Sequence, residues 1–367
     1  MRSLALPLLL GFLSPVFLSA QVSYLERPDL LGKVEECLQF TYNFSFKEAR
    51  ELQRELAAAT PQHPAPLFLD ALIIYWDHFP LVPEDQASGQ FEELMNRTVE
   101  MAKEMQEAED TYLEGVFFDL FGRAFKAMFW ADNGRASKLI PDLAPMYRQT
   151  KEGFELKEQF EEFYFSTGLY NYYIEAYPEA HPVYKPFLAF MQKGDKKLGL
   201  QQLNHAVNHS IYLKVESILF MSLIQLKYEK DLSTASLYAE RLHREYPNNI
   251  YYQGHLVTVL LYLSRYDKAK EIISFMKHQH DDYSEMIRSM ASAFFAEKMD
   301  ENSRRAERDY KSTIEYATGF GPFADQYAAI GYMGLSRLEL KSGDEKKSAE
   351  YARKAARLTS YPFILEN

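Results

Sequence analysis

The feature that most constrains this chain is a recurrence at a spacing of 34 residues. Leu232-x-x-Ala235 returns as Tyr266-x-x-Ala269, an apolar residue followed three positions on by a small one. Phe46-x-x-Ala49 carries the same feature near the N-terminus, and Gly343-Asp344-Glu345-Lys346-Lys347-Ser348 carries it near the C-terminus. Pro61 stands twelve residues after Ala49, and Pro247 twelve after Ala235. The small residue lets two helices approach closely, and the proline ends the second helix so that the next pair can stack. Apolar residues at helical spacing run through almost the whole chain beyond residue 25, with few strand-like alternations. Turn signals at Pro80/Pro83, Asp132-Asn133-Gly134, Pro178/Pro182, Gly194-Asp195, Pro247-Asn248-Asn249 and Gly319-Phe320-Gly321-Pro322 bracket helices of ordinary length. These observations predict an all-α chain: a helical-hairpin repeat solenoid coiling as an α-α superhelix.

The spacing of small residue and proline resembles that of the tetratricopeptide repeat (TPR) family, over roughly 30–60 and 195–358, and best over 216–283 and 329–362. Asp281 stands where the repeat from Ile250 would end in proline, and the usual tryptophan and glycine-alanine signals are mostly missing, so the repeats are divergent. The run Phe165 to Tyr172, continuing through Gly194-Asp195 to Gly199-Leu200, is similar to a divergent TPR group that includes eukaryotic outer-mitochondrial-membrane proteins, which supports the repeat fold rather than a role. The expected organisation is a signal peptide at 1–20, TPR-like hairpins at 21–84, a divergent helical region at 85–190 and C-terminal TPR repeats at 191–367.

The first twenty residues carry one charge, Arg2, then an apolar stretch from Leu4 to about Leu18 and the small pair Ser19-Ala20. That is the pattern of a secretory signal peptide. The stretch is short for a membrane span and is broken by Pro7, Gly11 and Pro15. Leu18-Ser19-Ala20-Gln21 and the aromatic-rich repeats resemble exported TPR proteins of Gram-negative bacteria, especially the Bacteroidetes type, which implies a periplasmic or secreted scaffold for an envelope complex. Expected, then, are an exported location and no stable membrane span after cleavage. Asn43-Phe44-Ser45, Asn96-Arg97-Thr98 and Asn208-His209-Ser210 match the glycosylation pattern, which has meaning only in a eukaryotic source.

Function classes narrow by what the residues exclude. Forty-one basic against 52 acidic side chains leave a net charge of −11, which argues against nucleic acid or anionic lipid as partner. One cysteine, Cys37, excludes an intrachain disulfide and a multi-cysteine metal site, and with no nearby basic group it reads as a buried, inert thiol. No phosphate loop, H-E-x-x-H or G-x-S-x-G occurs, and Gly319-x-Gly321-Pro322 reads as a hairpin turn. His278-Gln279-His280-Asp281-Asp282 has the wrong spacing for two imidazoles on one helical face, and His205 and His255 read as packing or groove residues. No catalytic residue, metal site or cofactor is expected.

The aromatic share, 15%, is high for a helical chain. Most such rings cover helix crossings. Placed on the repeat pattern, Phe220, Ile224, Lys227 and Tyr228, followed by Tyr251, Thr258, Leu261 and Tyr262, fall where first helices face a concave groove. A groove of tyrosines with an occasional lysine suits an extended peptide or helix. The expectation is an exported, non-enzymatic TPR scaffold that binds a protein or peptide partner through that groove. The alternative is a secreted, α/α-toroid-like glycan-active enzyme, with Glu114 and Asp119 as its first candidate carboxylates.

Overall fold

A computed structural model of the chain describes residues 22–180, 185, 191–276 and 281–366. The signal-peptide assignment, Pro182, His278 and His280 therefore lie outside the described residues. The described residues contain helices and no strand. In chain order the helices are α1 Pro28–Tyr42, α2 Phe46–Ala59, α3 Ala65–Asp77, α4 Gln86–Met105, α5 Tyr112–Asp132 and α6 Ile140–Leu156. They continue as α7 Phe163–Ala180, α8 Lys196–His209, α9 Lys214–Lys227, α10 Leu232–Glu245, α11 Ile250–Tyr262 and α12 Tyr266–Met276. The last are α13 Asp282–Lys298, α14 Ser303–Phe320, α15 Asp325–Ser342, α16 Glu345–Leu358 and the single turn α17 Pro362–Leu365.

Consecutive helices pack against one another along the chain, which is the helical-hairpin repeat architecture. The second helices of three hairpins, α2, α10 and α12, open at Phe46, Leu232 and Tyr266, where the apolar residue of the repeated motif stands. Ala49, Ala235 and Ala269 are fully buried at the helix crossings. α2 and α10 end just before Pro61 and Pro247, since a proline cannot continue the ladder. Side-chain caps fix many starts. Asp195, Asp231, Asp281, Asn302 and Asp344 each accept a hydrogen bond from a backbone N–H three residues on, at 2.8–3.1 Å. Asp281, the residue in place of the expected proline, is thus the cap of α13.

A hydrogen bond marks the hairpin crossings. Cys37 Sγ donates to Ala49 O at 3.3 Å, Ser222 Oγ to Ala235 O at 2.8 Å, and Ser336 Oγ to Ser348 O at 2.9 Å. A small donor on the first helix meets the carbonyl of the small residue on the second, possible only where two helices run this close.

The superhelix coils tightly enough for its first hairpin to pack on α9–α11. Asn249 Nδ2 donates to Tyr42 O at 2.9 Å, Gln39 Nε2 to Glu245 O at 3.1 Å, and the Tyr42 hydroxyl to Glu216. The Phe79 ring, just past α3, lies 5.4 Å from Tyr251, 5.2 Å from Tyr283 and 5.6 Å from Phe323, edge-on or tilted. Such contacts join the apolar core of the N-terminal half to that of the C-terminal half.

Candidate functional site

The coil leaves a chamber where the C-terminal ends of α5 and α9 face the N-terminal ends of α11, α15 and α17. One cavity of about 220 Å³ is walled by Phe220, Lys227 and Tyr228 of α9, Tyr251 of α11, Asp132 of α5, Phe323 and Tyr361. A second space of about 330 Å³ adjoins it and shares Asp132, Lys227, Tyr251, Phe323 and Tyr361. The rings form two runs in the wall: Tyr173 to Tyr228 at 5.5 Å and Tyr228 to Tyr361 at 6.4 Å, and apart from them Tyr251 to Trp76 at 6.1 Å. Edge-to-face contacts of this kind stiffen the wall as well as fill it.

Among the described residues, one cation, Lys227, and three carboxylates, Asp132, Glu216 and Asp325 at the start of α15, line the chamber. Lys227, half-buried at the end of α9, holds its ammonium 4.5 Å from the Tyr361 ring centroid, a cation–π contact. Asp132 keeps accessible surface but lies among the protein walls of the chamber, and the desolvation there raises its carboxyl to about 6, against the pull of Lys227. Glu216 borders the same space but is buried. Burial raises it to about 7, the Tyr42 hydroxyl donates to one of its oxygens, and the other has no partner.

Of the eight groove residues read from the sequence, Phe220, Lys227, Tyr228 and Tyr251 come together in this wall. The other four do not. Ile224, Thr258 and Leu261 are buried in the core, and the Thr258 hydroxyl donates back to Gly254 O at 2.9 Å. Tyr262 packs 5.0 Å from Phe363 and 5.5 Å from Phe294, away from the chamber. Trp76 and Phe79 pack on the first turn of α11, against Tyr252 and Tyr251. Asp132, Glu216 and Tyr361 were not singled out from the sequence. Asp132 stood there only as part of a turn signal, and no residue pattern links it to α9 or to the C-terminus.

Glu114 and Asp119, the first carboxylates considered for glycan chemistry, are both committed to the core. Glu114 accepts the Tyr24 N–H at 3.0 and 3.1 Å and lies 3.4 Å from His63 Nε2. Asp119 pairs with Arg123 at 2.7 Å and accepts from the Gln149 amide. His255 is a core residue: its Nε2 lies 2.7 Å from Ser222 Oγ, and burial pushes its pKa down to about 3. Gly321-Pro322 forms the expected turn, with Gly321 at φ 64°. Among the described residues, one set of three side chains is placed to share a metal ion: Glu161, His205 and His209.

No family model and no curated protein matches the chain. Among solved structures it is similar to the human IFIT1 dimer with PPP-AAAA, at 11% identity and a TM-score of 0.31, over 90% of this chain and 95% of that one. The helical-hairpin fold itself is read from the packing described above.

Proposed function

We propose that the chain is an exported, noncatalytic helical-repeat binding protein of TPR type, whose chamber takes a short segment of a protein or peptide partner. The observation that carries this reading is the convergence of Phe220, Lys227, Tyr228 and Tyr251 in one wall with Asp132. The inner cavity has room for roughly seven waters at about 30 Å³ each, the scale of one side chain. The adjoining space extends it along the chain of an occupant. Rigid aromatic walls supply contact area at little entropic cost, and Lys227 favours an acidic side chain or a terminal carboxylate. Catalysis by a carboxylate pair is not favoured, because Glu216 is buried and bound to Tyr42. Export rests on the pattern of residues 1–20, and no helix among the described residues is long and apolar enough to cross a membrane.

Panning a displayed peptide library on the full chain tests the reading, with Lys227→Met and Tyr251→Phe proteins run beside it. Enriched peptides should carry an acidic residue or free C-terminus beside an aromatic or large apolar residue. They should bind Lys227→Met at least tenfold more weakly, about the effect of one charge-assisted hydrogen bond. Peptides held equally by all three proteins would place the binding surface elsewhere.

A further inference from the structure

We propose that Glu161, His205 and His209 form a site for a divalent transition-metal ion of the zinc class, separate from the chamber. His205 and His209 stand one turn apart on α8, and Glu161 lies in the turn that leads into α7, the helix packed against α8. One ligand atom from each comes within 4.8 Å of the other two. Zinc bonds of about 2.0–2.2 Å set tetrahedral ligand atoms about 3.4 Å apart, so the exposed Glu161 side chain closes in and the exposed His209 ring turns out of its stack on His205 to complete the site.

Two further details point to an ion. His205 Nε2 is buried with no hydrogen-bond partner, 3.6 Å from Glu161 Oε1, and its ring packs against Tyr164 at 4.0 Å. His209 Nδ1 lies 2.9 Å from His205 O. An N–H donated there fixes the tautomer and leaves Nε2 as the metal-binding lone pair, as backbone carbonyls do for ligating histidines. Two imidazoles and one carboxylate suit zinc, copper or nickel rather than magnesium or calcium. Water would fill the fourth position, since Glu161 and His209 face solvent. The neighbouring residue, Glu162, accepts the N–H groups of Ile211, Tyr212 and Leu213 ahead of α9 at 2.6–3.0 Å. An ion at Glu161 therefore ties together the joint from which α7, α8 and α9 diverge.

The test is calorimetric titration of the chelator-treated full chain with zinc chloride, followed by thermal melting with and without zinc. One ion per chain at micromolar affinity or tighter is expected, with a melting temperature that rises with zinc. His209→Ala, an exposed change that leaves the fold intact, and His205→Ala should each weaken binding at least tenfold and remove the rise. His278→Ala/His280→Ala should keep both. Binding that survives in His205→Ala/His209→Ala, binding lost in His278→Ala/His280→Ala, or no binding up to millimolar zinc would overturn the proposal.

Discussion

Cys37 occupies in the first hairpin the place that Ser222 and Ser336 hold in later ones. Each donates to a carbonyl of the partner helix, and Cys37 is fully buried, its thiol pushed up to about 12 by that burial. The inert thiol was legible from the lack of a nearby basic group; its part in a repeated hydrogen bond was not, because Cys and Ser share no sequence signal. Cys37→Ser should therefore shift the unfolding free energy by less than about 1 kcal/mol in urea titration, whereas Cys37→Leu should cost about 1–3 kcal/mol by overpacking. Glu216 makes a prediction about pH. Its folded pKa of about 7 lies above the ordinary value of 4.5, so the folded state holds a proton that the unfolded chain has lost between those values. The stability this contributes is fully present below about pH 4.5 and is lost as pH rises through about 7. Glu162, also raised to about 7 by burial despite three amide donors, acts with the same sign. Removing the Glu216 share with Glu216→Gln should raise stability at pH 8 by on the order of 2 kcal/mol and leave pH 4 nearly unchanged. A decline with pH as steep as that of the parent protein would refute this.

Helices are the scale at which the sequence was most readable. The motif residues Phe46, Leu232 and Tyr266 open helices, and Pro61 and Pro247 follow helix ends, because small residues and proline act through their immediate neighbours. The divergent stretch shows the same logic without the period. Gly168 of α7 and Gly199 of α8 face each other so closely that a Cβ on Gly199 would lie 2.7 Å from Tyr172 N and 2.8 Å from Gly168 O. Those are backbone atoms of a packed helix and cannot withdraw without shifting it. Gly199→Ala should lower stability by about 2 kcal/mol, the overpacking cost exceeding a helix-propensity gain of about 1 kcal/mol. Gly32→Ala, in α1 with nothing within 4 Å, should instead stabilise by about 0.5–1 kcal/mol. Thermal melts of the two variants separate these signs.

At the scale of the molecule, sequence reading stopped at the next repeat. A solenoid's period records contacts between neighbours, so it says nothing about Tyr42 meeting Asn249. That contact closes the coil, while Leu261, Thr258 and Ile224, half of the expected groove with Tyr262, lie in the core. The same silence hid the chamber's Asp132 and the meeting of Glu161 with His205 and His209. Asn249 carries the closure: it caps α11 by accepting from Tyr251 and Tyr252 N–H at 3.0 and 3.2 Å while donating to Tyr42 O. Asn249→Ala should cost about 2–3 kcal/mol, a lost cap plus a buried carbonyl left without its donor. Asn302→Ala, an exposed cap of α14, should cost about 1 kcal/mol.

The chamber is the account's central claim, and Trp76 in its wall reports on it directly. The chain has two tryptophans, so a Trp130→Phe protein leaves Trp76 as the sole tryptophan, excited selectively on the red edge beyond tyrosine absorption. Titrating that protein with a peptide selected on the full chain should shift Trp76 emission saturably, at the same midpoint that calorimetry gives for binding, and Lys227→Met should move both midpoints together. Tight binding that leaves Trp76 emission unchanged would contradict the chamber as the site.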